Sequence, residues 1–153
     1  MFERYTEKAR RVIFFARYEA GQFGSPSIES EHLLLGLLHE NSKLRRWLPN
    51  ATPETIREWV EAESKQRPPV STAVDLKLSN DSKKILKQAA DEADRFSHDC
   101  IGTDHLFLAL LAIEDCLAAK LVARAAPDAV KIRAEVSQQA EEPRHESRLS
   151  PSE

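Results

Sequence analysis

Only four glycines and two cysteines occur in these 153 residues. No apolar run approaches the roughly 20 residues that span a bilayer. Strand-like alternation is missing, and apolar residues recur at helical spacing instead. Cys100 and Cys116 are too few for a disulfide scaffold and read as core thiols in a reducing compartment. With 22 basic and 25 acidic residues the formal charge is -3, so no basic excess points to nucleic acid. The opening Met1-Phe2-Glu3-Arg4-Tyr5-Thr6-Glu7 lacks the apolar stretch of a secretory signal. These absences predict a cytoplasmic protein with neither a membrane nor a nucleic-acid partner. Catalytic signatures are missing as well: no G-x-x-x-x-G-K-[ST] loop, no G-x-S-x-G elbow and no H-E-x-x-H. The sequence therefore assigns no catalytic residue, no metal and no cofactor.

What is present is a duplication. Ile28-Glu29-Ser30-Glu31-His32-Leu33-Leu34-Leu35-Gly36-Leu37-Leu38 returns 73 residues later as Ile101-Gly102-Thr103-Asp104-His105-Leu106-Phe107-Leu108-Ala109-Leu110-Leu111. Six of the eleven positions are identical, and two more exchange like for like. The register extends outward from this motif. Thr6 matches Ser79, and Val12, Ile13, Ala16, Ala20 and Phe23 match Ile85, Leu86, Ala89, Ala93 and Phe96. Glu19 matches Glu92, Leu44 matches Leu117, and Leu48 matches Leu121. Internal repetition of this kind decides the architecture before any residue is read for chemistry.

Each copy reads as four helices. Thr6 caps the first, which Gly21 and Gly24-Ser25-Pro26 interrupt. Ser30 caps a second, running to about Glu40 and apolar on most of its circumference, so it must be buried. A short third helix lies near Ser42 to Leu48. Thr52-Pro53-Glu54 opens the fourth, which carries Ile56, Trp59 and Val60; Pro127-Asp128 is the parallel opening in the second copy. Neither half alone covers its apolar second helix. The expected fold is all-α, with eight helices arranged as two pseudo-twofold-related four-helix repeats. The expected boundaries are 1–65 for the first repeat, 66–77 for a linker marked by Pro68-Pro69, 78–140 for the second repeat, and 141–153 for a polar disordered tail. Trp47 and Trp59 read as packing residues. Phe14 and Phe15 are adjacent on a helix and cannot both face one core, so one of them is expected at the surface.

Ser30-Glu31 and Thr103-Asp104 place a hydroxyl and a carboxylate at the same helix start twice. Two accounts fit them. In the first, the hydroxyl caps the helix and the acid complements the helix dipole, with nothing further implied. In the second, the free N–H groups of the helix start accept an anion while the carboxylate accepts a guanidinium, which suits a ligand carrying both charges, such as phosphorylated arginine. His32 and His105 raise the thought of a metal site, but adjacent residues point about 100° apart on a helix and do not share one ion easily. A buried histidine bonded to a neighbouring helix is the expected role.

The opening residues and both copies of the motif resemble the N-terminal domain of Clp unfoldases, especially the ClpC type. That family reads F-x-R-F-T-E-x-A at its start and I-G-T-E-H-L-L-L-G-L in each repeat, and the resemblance covers about residues 1–140. It implies recognition of substrate proteins or adaptors, or contact with a Clp ATPase or protease. In ClpC-type relatives the motif acids contact phosphoarginine, which implies Glu31 and Asp104 as ligand residues with Ser30 and Thr103 beside them. Here Glu29 replaces the motif glycine and adds a charge that repels phosphate, whereas Gly102 is kept and Asp104 is one methylene shorter than the usual Glu. The ATPase modules that normally follow are not in this sequence, which fits either a free-standing N-domain-like protein, such as an accessory subunit, or a piece of a longer chain.

Overall fold

The first helix of each repeat starts where the sequence supplies an acceptor for an orphan backbone N–H. The structure, a computed structural model, describes residues 2–50, 52–63, 68–69, 71, 75–126 and 129–139. Among these the chain forms α1 (Glu7–Gln22), β1 (Ser27–Ile28), α2 (Ser30–Glu40), α3 (Leu44–Trp47), α4 (Pro53–Glu63), β2 (Lys77–Leu78), α5 (Asn80–Arg95), α6 (Thr103–Ala112), α7 (Leu117–Ala125) and α8 (Ala129–Gln139). The expected tail, half of the expected linker and the helix opening at Pro127-Asp128 lie outside the described residues. Thr6 caps α1 by accepting from the Ala9 N–H at 3.1 Å, and its counterpart Ser79 caps α5 by accepting from Ser82 N–H, also at 3.1 Å. Helix α1 runs through Gly21 and ends one residue later. The ends of α1 and α5 match again. Gly24 and Ser97, at equivalent positions, both take left-handed backbone, with φ of 65° and 57°. The next N–H closes the turn in each case, Ser25 to Ala20 O and His98 to Ala93 O.

The repeats pack about a pseudo-twofold axis. Helix α1 lies on α2 as α5 lies on α6; α1 touches α6 as α5 touches α2; α4 covers α2 as α8 covers α6. Leu33, Leu34, Leu37 and Leu38 of α2 and Leu106, Phe107, Leu108 and Leu110 of α6 are almost completely excluded from solvent. The two apolar helices thus form one shared core, which neither half could bury alone. Trp47 stacks parallel to Phe107 of the other repeat, with ring centroids 6.5 Å apart. Trp59 lies under the guanidinium of Arg124, 4.2 Å from its ring centroid.

The low strand content hides a small exchange of backbone. β1 pairs in parallel with β2, Ile28 opposite Leu78. At the equivalent place, Tyr5 bridges Ile101, also in parallel. The segment before each repeat's first helix therefore pairs with the segment before the other repeat's second helix. Thr6 N–H donates to Ile101 O at 3.0 Å, and Ser79 N–H to Ile28 O at 2.9 Å. Two residues of ladder give no alternation to read, so the sequence pattern could not announce these strands.

Buried carboxylates repeat too. Glu19 of α1 is paired with Arg57 of α4, whose Nε lies 3.3 Å from Oε1. Glu92 of α5 is paired with Arg95 and, at 3.9 Å, with Arg133 of α8. Burial alone would push the Glu92 carboxyl up; hydrogen bonds from Gln88 and Arg95 and the two guanidiniums outweigh it and hold the carboxyl below its usual range.

Candidate functional site

The helix starts that carry the motif acids differ from expectation in their caps. The N-caps of α2 and α6 are Glu29 and Gly102, one residue earlier than the predicted Ser30 and Thr103, which occupy the first helical positions. The displaced hydroxyls bond elsewhere. Ser30 Oγ accepts from the Ala118 N–H at the start of α7, at 3.1 Å. Thr103 Oγ1 accepts from Asn41 Nδ2 at the end of α2, at 3.0 Å. Each helix start is thus tied to the opposite repeat.

The histidines also differ from expectation. They bond to their own helix starts, not to a neighbouring helix. Glu29 N–H donates to His32 Nδ1 at 2.9 Å, and Gly102 N–H donates to His105 Nδ1 at 3.0 Å. The imidazole plays the part that Glu or Gln plays in a capping box, satisfying the N-cap amide from the third helical position. A motif of acid followed by histidine, read from the sequence, could have suggested this, since histidine there is the right reach from the cap. Accepting at Nδ1 fixes the proton on Nε2. In the second repeat that Nε2–H is placed to donate to His98 Nδ1, 3.0 Å away. Burial pushes both imidazoles down, to about 4 for His32 and about 4 for His105, where the nearby His98 adds to the effect. Both rings are therefore neutral at pH 7 and committed to structure.

The two acids are presented differently. Glu31 is only 9% exposed. Burial pushes its carboxyl above the usual range, and Glu29 adds to this, while its own backbone N–H and the Ser30 hydroxyl, 3.4 Å away, pull the other way. The N–H that an anion would need is thus engaged by the protein's own carboxylate. Asp104 is half-buried, and its Oδ1 accepts from Asn41 Nδ2 at 3.2 Å. Asn41 itself is 8% exposed and is positioned by the end of α2. Its counterpart in the second repeat is Glu114, so the repeat pattern carried no signal for it.

The structure does not bring the two sites together. Asn41, at the C-terminal end of the 11-residue α2, touches the start of α6. The start of α2 lies instead beside α7, so α2 and α6 run antiparallel and their starts are separated by roughly the 16 Å length of a three-turn helix. Glu31, His32, Asp104 and His105 cannot converge on one ion. Among the described residues no group of three or more histidines, cysteines or acids does so either. No helix among them is long and apolar enough to cross a membrane.

This geometry has relatives. A sequence model described as the Clp repeat (R) N-terminal domain matches residues 4–125, and again 77–152. The chain is 34% identical over 140 residues to the ATP-dependent Clp protease ATP-binding subunit ClpA homolog of Porphyra purpurea, covering 90% of this chain and 17% of that protein. It is 32% identical over 138 residues to the chloroplastic chaperone protein ClpC of Pisum sativum, covering 89% of this chain and 15% of that protein. The chain thus spans only about a sixth of these relatives. Among solved structures, the N-terminal domain of ClpD from Arabidopsis thaliana superimposes with a TM-score of 0.72 at 24% identity, over 90% of this chain and 94% of that one. The Hsp104 N-terminal domain from Candida albicans follows the same fold, with a TM-score of 0.68 at 19% identity. With the family pattern running through both copies of the motif and the fold matching these domains over about nine-tenths of the chain, the chain belongs to the Clp repeat N-terminal domain family.

Proposed function

We propose that this protein is a non-catalytic protein-binding module that recognises substrate proteins, adaptors or the subunits of a Clp-type unfoldase or protease, with an accessory-subunit role among its forms. Family membership over most of the chain carries this reading. The two motif histidines support it, since each is buried and spends Nδ1 on a backbone amide. Immobilised protein incubated with cell extract should enrich Clp subunits or a defined set of client proteins over an unrelated helical control. No enrichment from an extract rich in Clp components would overturn the reading.

A second reading concerns the ligand. Half-buried Asp104 beside Gly102 favours recognition of phosphoarginine at the start of α6 rather than α2, where Glu31 is buried and Glu29 repels phosphate. Thr103 and Ser30 are the hydroxyls beside the two acids. In calorimetry with free phosphoarginine, Asp104→Ala should lose the binding heat and Glu31→Ala should keep it. Equal heats in wild type and both variants, or none in any, would remove this reading.

A further inference from the structure

A cavity of about 330 Å³ opens beside the exchanged backbone segments, and neither motif acid lines it. Its floor is apolar: Tyr5, Leu78, Leu86, Ala90 and Ile101. Tyr5 and Ile101 are the bridged pair, and Leu78 is the β2 residue paired with Ile28, so well-fixed backbone supports the floor. Tyr5 is 3% exposed, and burial pushes its hydroxyl up to about 12. The rim is cationic. Lys83 and Lys87, one turn apart on α5, are both exposed, and Arg4 stands across from them with Glu3. Arg4 is already paired with Asp94 at 2.9 Å. Among the described residues, Lys83 and Lys87 form no ion pair.

The duplication shows why this space is open. At the pseudo-equivalent face of α1, Arg10, Ile13, Phe14 and Arg17 stand where Lys83, Leu86, Lys87 and Ala90 stand on α5. Arg17 reaches from the position of Ala90 to the carbonyl of Ser71, at 3.0 Å. Ala90 carries only a methyl group, which leaves the floor of the cavity uncovered. The replacement of Phe14 by Lys87 puts a cation, not a ring, at its edge.

We propose that this cavity docks a peptide segment of a partner protein in which one or two large apolar side chains are flanked by acidic residues. The apolar floor takes the side chains, and Lys83 and Lys87 face the flanking carboxylates. The proposal rests on the protein-binding reading above and adds a surface to it that is separate from Asp104.

The test uses the full chain and a fluorescein-labelled peptide, Asp-Glu-Leu-Phe-Glu-Asp, followed by anisotropy. Binding should be saturable, should weaken with added salt, and should fall about tenfold when the acids become Asn and Gln. The double variant Lys83→Glu, Lys87→Glu should weaken the acidic peptide about tenfold or more while leaving melting near wild type, because both lysines are exposed. Ala90→Arg, which installs the side chain of the first repeat, should abolish binding. Asp104→Ala should leave it unchanged. Equal affinity for the acidic and amide peptides, or no effect of the exposed-lysine variant, would overturn the proposal. If the peptide fails to bind while Clp subunits or clients are still captured, the pocket assignment falls and the module reading stands; if both fail, the module reading falls with it.

Discussion

At the start of α2, Glu31 is turned inward, held by its own backbone N–H and shadowed by Glu29. At the start of α6, Asp104 is half-buried and is held by Asn41, which reaches across from the first repeat. The same eleven-residue pattern built both, and histidine closes both caps in the same way. The difference comes from three side chains: Glu29 against Gly102, Glu31 against Asp104, and Asn41, which has no copy. Duplication preserved what packing needs and let the edges of the helix starts diverge. The same division runs along α1 and α5, where Val12, Ala16 and Ala20 match Ile85, Ala89 and Ala93 inside, while Phe14 and Arg17 became Lys87 and Ala90 outside. Of the adjacent phenylalanines, Phe14 is the one at the surface, 67% exposed, and Phe15 lies tilted against His39, 3.9 Å between centroids.

Four measurements would break or sharpen this comparison. The largest effect is expected where the repeats are most alike. Leu35 and Leu108 are equivalent and buried, so Leu35→Ala and Leu108→Ala should each cost about 2–5 kcal/mol in denaturant unfolding. A loss below about 1 kcal/mol at both would mean that α2 and α6 are not the shared core.

Acid should come next. His32 and His105 are depressed to about 4 in the fold, against about 6.5 in an unfolded chain. The folded state therefore disfavours the proton. Stability is fully present above about 6.5 and declines as pH falls from there toward 4, by about 2 kcal/mol per histidine at pH 5. Urea midpoints at pH 7.5 and pH 5 measure it, and His32→Gln and His105→Gln should each flatten the slope. A pH-independent midpoint across this window would contradict the buried, N–H-accepting imidazoles.

The third test separates the repeats. A Cβ on Gly36 would lie 2.5 Å from the carbonyl oxygen of Val12, so α1 and α2 cross with their backbones nearly touching. Gly36→Ala should cost about 1–3 kcal/mol despite alanine's better helix propensity. Its counterpart Ala109 already carries that methyl, and Ala109→Gly should cost about 1 kcal/mol, the ordinary propensity penalty. Thermal melts of the two variants would show whether the helix pairs differ in closeness as this predicts. The smallest change is at the ends of α1 and α5. Gly24 takes a positive φ without a Cβ, and Ser97 takes it with one. Ser97→Gly should stabilise by about 0.5–1 kcal/mol, and Gly24→Ser should destabilise by a similar amount. A melting temperature unmoved by either would show that the left-handed cap is not strained.

Much of this was legible because helical repetition writes itself into a sequence. Thr6 and Ser79, the apolar runs of α2 and α6, and the offset of 73 fixed the element order and its pairing. The starts of α2 and α6 lie one residue earlier than composition suggests. Ser30 and Thr103 look like caps by composition, but histidine three residues into each helix can hold the preceding amide, and that selects Glu29 and Gly102. The exchanged strands could not be read at all, because a two-residue ladder leaves no period. Asn41 was equally silent, since its importance comes from where α2 ends relative to α6.

The sequence by itself determined the all-α repeat, its shared apolar centre and its family, because helical periodicity and a doubled motif are local and survive without coordinates. Only the tertiary structure decided that the two motif acids stand at opposite ends of an antiparallel helix pair, that one is closed and the other half-open, and that α5 borders a cavity. Those properties depend on distances between residues far apart in the chain, and distance is what packing supplies.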